Sequence, residues 1–149
     1  MTRDDTLRAL EQEVGVMIRR VRRVIGIRAQ MVHPDLQPAA YLLLSSIADS
    51  GPVRASELVE RFDTDKGAIS RQVSHLLELE LLAKEKDPAD ARASLVSVTD
   101  EARSRMADVV EHRHKLFAEG LSEWSEAELE GFVKDLGRYN TALNEASGL

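Results

Sequence analysis

Apolar residues recur along the opening stretch of the chain at alternating spacings of three and four: Leu7, Leu10, Val14, Met17, Val21 and Val24. That period places them on one stripe of a long helix, because side chains three and four apart share a face. Val16, Ile18, Ile25 and Ile27 widen the stripe, which predicts several packing neighbours for this helix, another chain among them. The pair His33-Pro34 ends it, since proline pushes the preceding residue out of the α region. A second helix is expected over "QPAAYLLLSSIADSG", with Pro38 at the first helical position and Gly51 just past the end. A third, "RASELVERF", is short. Asp65 then suits the N-cap of a fourth, "KGAISRQVSHLLELELL", whose Ile69, Val73, Leu76 and Leu77 fall on one face.

The pattern next shifts to the period of a strand. "LLAKEK" and "SLVSV" read as two strands joined by "DPADARA", where Pro88 and the aspartates are turn formers. Thr99 caps a fifth helix, with Asp100 and Glu101 near the positive end of its dipole and an apolar face through Met106, Val109, Val110, Phe117 and Leu121. The sixth opens on a full start signal: Ser125 as N-cap, Glu128 as its capping-box partner, and Trp124 against Leu129 as hydrophobic staple. Leu129, Phe132, Val133, Leu136, Tyr139 and Leu143 carry its stripe. The expected fold class is mainly α with a small β-hairpin (α+β), a single domain over 1–149 in which helices at 1–34 and 100–149 flank a central module at 35–99. The outer helices carry more apolar surface than so small a module can cover. A two-fold homodimer joined through them is the expected solution.

Composition changes this picture in a few places. At 149 residues, 43% apolar and 31% charged, the chain supports one buried core, and its 4% aromatic content predicts a core of Leu, Val, Ile and Ala. The absence of cysteine excludes disulfides, thiolate zinc sites, cysteine nucleophiles and thiol redox switches. "MTRDDTLRALEQEV" lacks the apolar core of a secretory signal and "AAYLLL" is too short to cross a bilayer, so a cytoplasmic protein with no membrane partner is expected. The net charge of −6 argues against indiscriminate coating of nucleic acid. Yet no acidic residue lies between Val14 and Pro34, where Arg19, Arg20, Arg22, Arg23 and Arg28 stand. This is either a basic patch with a partner or a solvated helix face.

The third and fourth helices, joined by "FDT", have the layout of a helix-turn-helix whose second helix lies in a major groove. The outward strip of that helix carries Gly67, Arg71, Ser74, His75 and Glu78, with Ser70 at its flank. Small polar residues there offer donors and acceptors to bases and phosphates, Gly67 lets the backbone approach, and Arg71 can read guanine or clamp a phosphate. The same strip also fits a solvated face on a three-helix core. The hairpin weighs against that plainer reading, because a charged loop just after the recognition helix reaches along the duplex as a wing. Arg92 then enters the minor groove, and Asp90 holds its guanidinium by a charge-assisted hydrogen bond. As a mere surface salt bridge that pair is worth less than about 1 kcal/mol. The candidate DNA-binding residues are therefore Gly67, Ser70, Arg71, Ser74, His75, Asp90 and Arg92. Asp108 and His112 lie one helical turn apart and could share an ion, but surface histidines are far commoner than ligands, and no metal or cofactor is expected. No cluster of Ser, His and carboxylate and no phosphate-cradling glycine loop appears, so an enzyme is not expected.

The segment "LQPAAYLLLSSIADSGPVRASELVERFDTDKGAISRQVSHLLELELLAKEKDPADARASLVSVTDEA" resembles the winged helix-turn-helix of the MarR family of bacterial transcriptional regulators. Its most specific piece is the wing pattern D-x-R followed by a strand and Thr, here Asp90, Arg92 and "SLVSVT". The flanking helices fall where that family places its dimerisation region, so the resemblance covers most of the chain. It implies a homodimer on a pseudo-palindromic double-stranded DNA operator, usually a repressor released by a small ligand, with Arg92 as the wing-tip contact and Asp90 as its partner. Many relatives bind aromatic acids or phenols, and arginines of the first helix could pair with such a carboxylate. The chain departs from the family in having Glu80 where a glycine often follows the recognition helix, and Ala102 where one often stands near the start of the next. Both concern local chain geometry, and neither touches a proposed contact. The alternative is a winged-helix protein-interaction module without DNA binding, a reading that the net acidity and Glu78 keep open.

Overall fold

The computed structural model describes residues 1–147. The elements are α1 (Arg3–Val32), α2 (Pro38–Ser50), α3 (Ala55–Phe62), α4 (Lys66–Glu78), β1 (Leu82–Asp87), β2 (Asp90–Val98), α5 (Asp100–Gly120) and α6 (Glu126–Ser147). They fall into two compact units, Met1–Val109 and the part from Val110 onward, with the boundary inside α5.

In the first unit, α1 opens on a capping box in which the Asp5 N–H donates to Thr2 Oγ1 at 3.1 Å and the Thr2 N–H donates to Asp5 Oδ2 at 2.8 Å. It stops at His33, whose extended backbone (φ −158°) is the conformation Pro34 imposes. α2 starts on Pro38 and ends at Gly51, whose φ of 81° suits glycine. Leu43, Leu44 and Ile47 of α2, Leu58 of α3, and Ile69, Val73 and Leu76 of α4 form the centre of the core. Leu81, Leu82, Val96 and Val98 close it from the hairpin side, Ala29 and Val32 from α1, and Ala102 and Val109 from α5. Among the described residues no polar side chain is buried. Leu77, expected on the same face of α4, is half-buried and packs against this core.

The recognition-type helix is shorter than its apolar run suggests. α4 ends at Glu78 instead of continuing through "LELL". The Leu81 N–H donates to the Leu76 carbonyl at 3.0 Å and the Glu80 N–H to the Leu77 carbonyl at 3.1 Å, the two reversed bonds of a Schellman motif. Such a motif needs one left-handed residue, and Glu80 takes that place with φ 59°. Leu81 is thereby free to pack on Leu76, and both are fully buried. The position departing from the family's glycine is thus a strained one. Glu80→Gly should raise stability by about 0.5 kcal/mol, the relief of left-handed strain less the entropy that glycine adds to the unfolded chain. An upward shift in the urea midpoint at constant slope checks this, and a downward one means the Glu80 side chain makes a contact worth more than the strain. The second departure needs no glycine: Ala102 is fully buried and its N–H donates to the Thr99 cap at 3.2 Å.

The hairpin pairs Leu82 with Val98 through Lys86 with Ser94, then shifts register at Lys86/Asp87 so that Asp87 faces Asp90. β2 therefore begins at Asp90, and the expected connection "DPADARA" shrinks to Pro88-Ala89, the rest being strand. A third stretch of extended chain joins it, since Val53 and Val96 exchange both backbone hydrogen bonds at 3.1 and 2.9 Å.

In the second unit α6 opens on the expected capping box, Ser125 N–H to Glu128 Oε2 at 2.7 Å and Glu128 N–H to Ser125 Oγ at 3.2 Å. These bonds hold the Glu128 carboxyl below the usual range. Trp124 meets Phe132 edge to face at 5.6 Å. No residue of α6 is buried. No helix among the described residues is long and apolar enough to cross a membrane.

Candidate nucleic-acid interface

α3 ends where Asp63 adopts a left-handed φ of 44°, turning the chain so that Asp65 can cap α4 by accepting from the Ala68 N–H at 2.9 Å. With Ile69, Val73 and Leu76 in the core, the helical period leaves Gly67, Ser70, Arg71 and Ser74 exposed on the other side. Gly67 has a use the sequence did not announce: a methyl group there would come within 3.0 Å of Asp65 Oδ1 and 3.2 Å of Arg71 Nη1. Its missing side chain makes room for the Arg71 guanidinium along the first turn of α4.

His75 follows Arg71 by one helical turn. It is half-buried, and its Nε2–H donates to the Asp35 carbonyl at 3.2 Å, tying α4 to the turn between α1 and α2. His33 serves the same turn, its Nδ1 accepting from the Asp35 N–H at 3.1 Å.

The wing departs from expectation at Asp90. Its Oδ1 accepts from the Arg92 backbone N–H at 3.0 Å, and no ion pair joins it to the Arg92 guanidinium. A carboxylate two residues ahead of an N–H closes this local ring more readily than it reaches the end of a long side chain. Arg92 is exposed and has no carboxylate partner among the described residues.

The wing's ion pair lies elsewhere. Arg54, the residue before α3, donates from Nε to Asp87 Oδ2 at 2.7 Å, with Nη2 at 2.5 Å from the same oxygen. Asp87 Oδ1 accepts from the Ala89 N–H at 2.9 Å and so shapes the turn. The Ala89 N–H first, and Arg54 second, hold the Asp87 carboxyl below the usual aspartate range, while Asp87 pushes the Arg54 guanidinium up. These partners are 33 residues apart, so no local spacing announces them.

Between α3, α4 and the hairpin runs an open groove of about 540 Å³. Ser70 and Ser74 line it with Lys66, Lys84 and Ser94, over an apolar floor that includes Val73. Lys66 and Lys84 escaped the sequence reading because isolated lysines carry no periodic signal. The surface thus gathers hydroxyls, two ammonium groups and two guanidinium groups along one helix and the adjacent wing, with the Glu60 carboxylate on the α3 side of the groove. Hydroxyl, ammonium and guanidinium groups are of the kind that hold phosphates and base edges. No group of three or more potential metal-ligating side chains occurs among the described residues.

A family model described as "MarR family" matches residues 35–93. The chain is 32% identical over 143 residues to YxaD of Bacillus subtilis (strain 168), named as an uncharacterized HTH-type transcriptional regulator, covering 96% of this chain and 99% of that protein. Its fold is similar to that of RV1404 from Mycobacterium tuberculosis, with a TM-score of 0.77 at 23% identity over 100% of this chain and 97% of that one. It is also similar to a MarR family protein of Listeria monocytogenes solved with a 26mer DNA, with a TM-score of 0.68 at 17% identity over 91% of this chain and 89% of that one.

Proposed function

The chain belongs to the MarR family of transcriptional regulators, and from that premise we propose that it acts as a homodimer that grips a pseudo-palindromic operator with α4 and the wing of each protomer. One observation carries this reading: the exposed polar strip of α4 stands beside a wing whose Arg92 guanidinium has no carboxylate partner among the described residues. Ser70, Arg71 and Ser74 meet the major groove, with Gly67 giving Arg71 its space. Arg92 enters the minor groove, where the negative potential is concentrated, and Asp90 shapes the backbone that carries it. His75 acts from behind by fixing α4 to the α1–α2 turn. The Listeria protein crystallised with DNA supports a duplex as the partner of this fold. A dimer seated on an operator excludes polymerase wherever operator and promoter overlap, which makes repression the natural outcome. Release by a small aromatic or phenolic ligand completes the reading.

The test is a salt titration on a duplex selected by the protein from random-sequence DNA. Neutralising several phosphates should give an affinity that falls steeply with salt, by about 0.9 in the logarithmic slope for each phosphate contacted. Arg92→Ala should weaken binding by about 1–3 kcal/mol with the dimer intact. Salt-independent or absent duplex binding leaves the protein-interaction module as the function of this fold.

A further inference from the structure

Arg54 stands at the N-cap of α3, a position where Ser, Thr, Asp or Asn satisfies the free N–H groups of the first turn. Its side chain makes no such bond. Instead it crosses to the hairpin and donates through Nε and Nη2 to one oxygen of Asp87, whose side chain is only 10% exposed. The other oxygen of Asp87 accepts from Ala89, inside the Pro88-Ala89 turn and immediately before Asp90 and Arg92. One residue earlier than Arg54, Val53 is bonded on both sides to Val96 near the base of β2. The wing is therefore pinned at two points, base and tip, by consecutive residues of the α2–α3 connection. Neither point lies on α4. A residue that forgoes capping its own helix in order to hold a turn bears on the placement of that turn.

We propose that Arg54 and Asp87 form a clasp that sets where the wing tip lies beside α4, which makes Arg54 a positioning residue for operator recognition. The inference rests on the DNA-binding reading above. With the clasp closed, Asp90 and Arg92 start from a fixed point and the Arg92 guanidinium reaches the minor groove at a fixed distance from the bases read by α4. With the clasp open, the tip relies on the β1–β2 ladder, with Val53 holding the base at Val96, and Arg92 must be ordered on binding.

The experiment compares wild type, Arg54→Ser, Arg54→Lys, Asp87→Asn and Arg92→Ala on a duplex selected from random-sequence DNA by the wild-type protein. Serine restores a cap to α3, so Arg54→Ser should keep or raise the urea midpoint while weakening operator affinity by about tenfold, in the range of a lost groove contact. Hydroxyl-radical footprints should lose the flanking minor-groove protection that Arg92→Ala also loses, and keep the central protection due to α4. Asp87→Asn should reproduce the affinity loss, because an amide can still accept from Ala89 but does not attract Arg54. Arg54→Lys, which keeps the charge, should recover part of the affinity. An Arg54→Ser protein that binds within about twofold of wild type, with its flanking protection intact, overturns the clasp alone, since twofold is smaller than a single groove contact. A wild-type protein that selects no duplex overturns the DNA-binding reading and the clasp together.

Discussion

Leu76→Ala should lower the stability of the first unit by about 2–5 kcal/mol, the range for deleting a fully buried leucine whose surroundings cannot close over the gap. Leu76 is fully buried on the inner face of α4, and its carbonyl accepts the bond from Leu81 that ends the helix. The core cluster it belongs to is built from elements that pack on α4: Leu58 on α3, Leu43, Leu44 and Ile47 on α2, and Leu81 just before the hairpin. A cavity here loosens α4 against both α3 and the wing at once, so operator binding should fail at temperatures where the wild type still binds. Urea unfolding followed by circular dichroism measures the cost as a fall in midpoint at constant slope. A loss below about 1 kcal/mol would mean that α4 can slide to refill the space, and a recognition surface on a helix that slides could not hold a fixed register on DNA.

Leu76 also marks what the sequence discloses well. Ile69, Val73 and Leu76 recur at helical spacing, and all three are buried where that spacing puts them. The capping box of α6, read from Ser125 and Glu128, forms with both hydrogen bonds. These features depend on residues a few positions apart, where backbone geometry alone decides which groups meet. The end of α4 was less legible, since "LELELL" continues the apolar period past the point where Glu80 turns left-handed, and no glycine marks the break. The hydrogen-bond pattern that stops the helix is local, but here burial of Leu81 against Leu76 outweighs the strain at Glu80.

At the candidate interface the limit is sharper. The residue types of the strip and the wing were readable, whereas their pairing was not. Asp90 and Arg92 sit two apart and suggest an ion pair, yet the short carboxylate bonds the nearer backbone N–H. The carboxylate that does hold an arginine is Asp87, and its partner is reached only because the Val53 and Val96 backbones bring the α2–α3 connection alongside β2. His75 shares a helix face with Arg71, and the assembled fold also bonds it to Asp35, a contact that no local spacing announces. Contacts of this kind are set by the fold as a whole, so they emerge only when the elements are assembled.

Val133→Asp should convert the protein to a monomer and cut operator affinity by about 10²–10⁴, the gain that linking two half-site readers provides. Val133 is 70% exposed on the apolar stripe of α6, and Leu7 and Leu10 of α1 are each 44% exposed. In an isolated chain a charge at so open a position changes stability by no more than about 0.5 kcal/mol. In a two-fold dimer that covers this stripe, the same carboxylate is buried without a partner, and the complex cannot carry the desolvation cost. Val133 is a better choice than Phe132, whose ring packs on Trp124 within its own unit and whose loss would confuse folding with association. Sedimentation equilibrium gives the mass, urea unfolding the stability of the separated chain, and gel shifts the affinity for whole and half operators. A variant that stays dimeric would place the interface away from α6. A monomer that keeps full affinity would show that a single reading head suffices, and the two-fold operator would then have no physical basis.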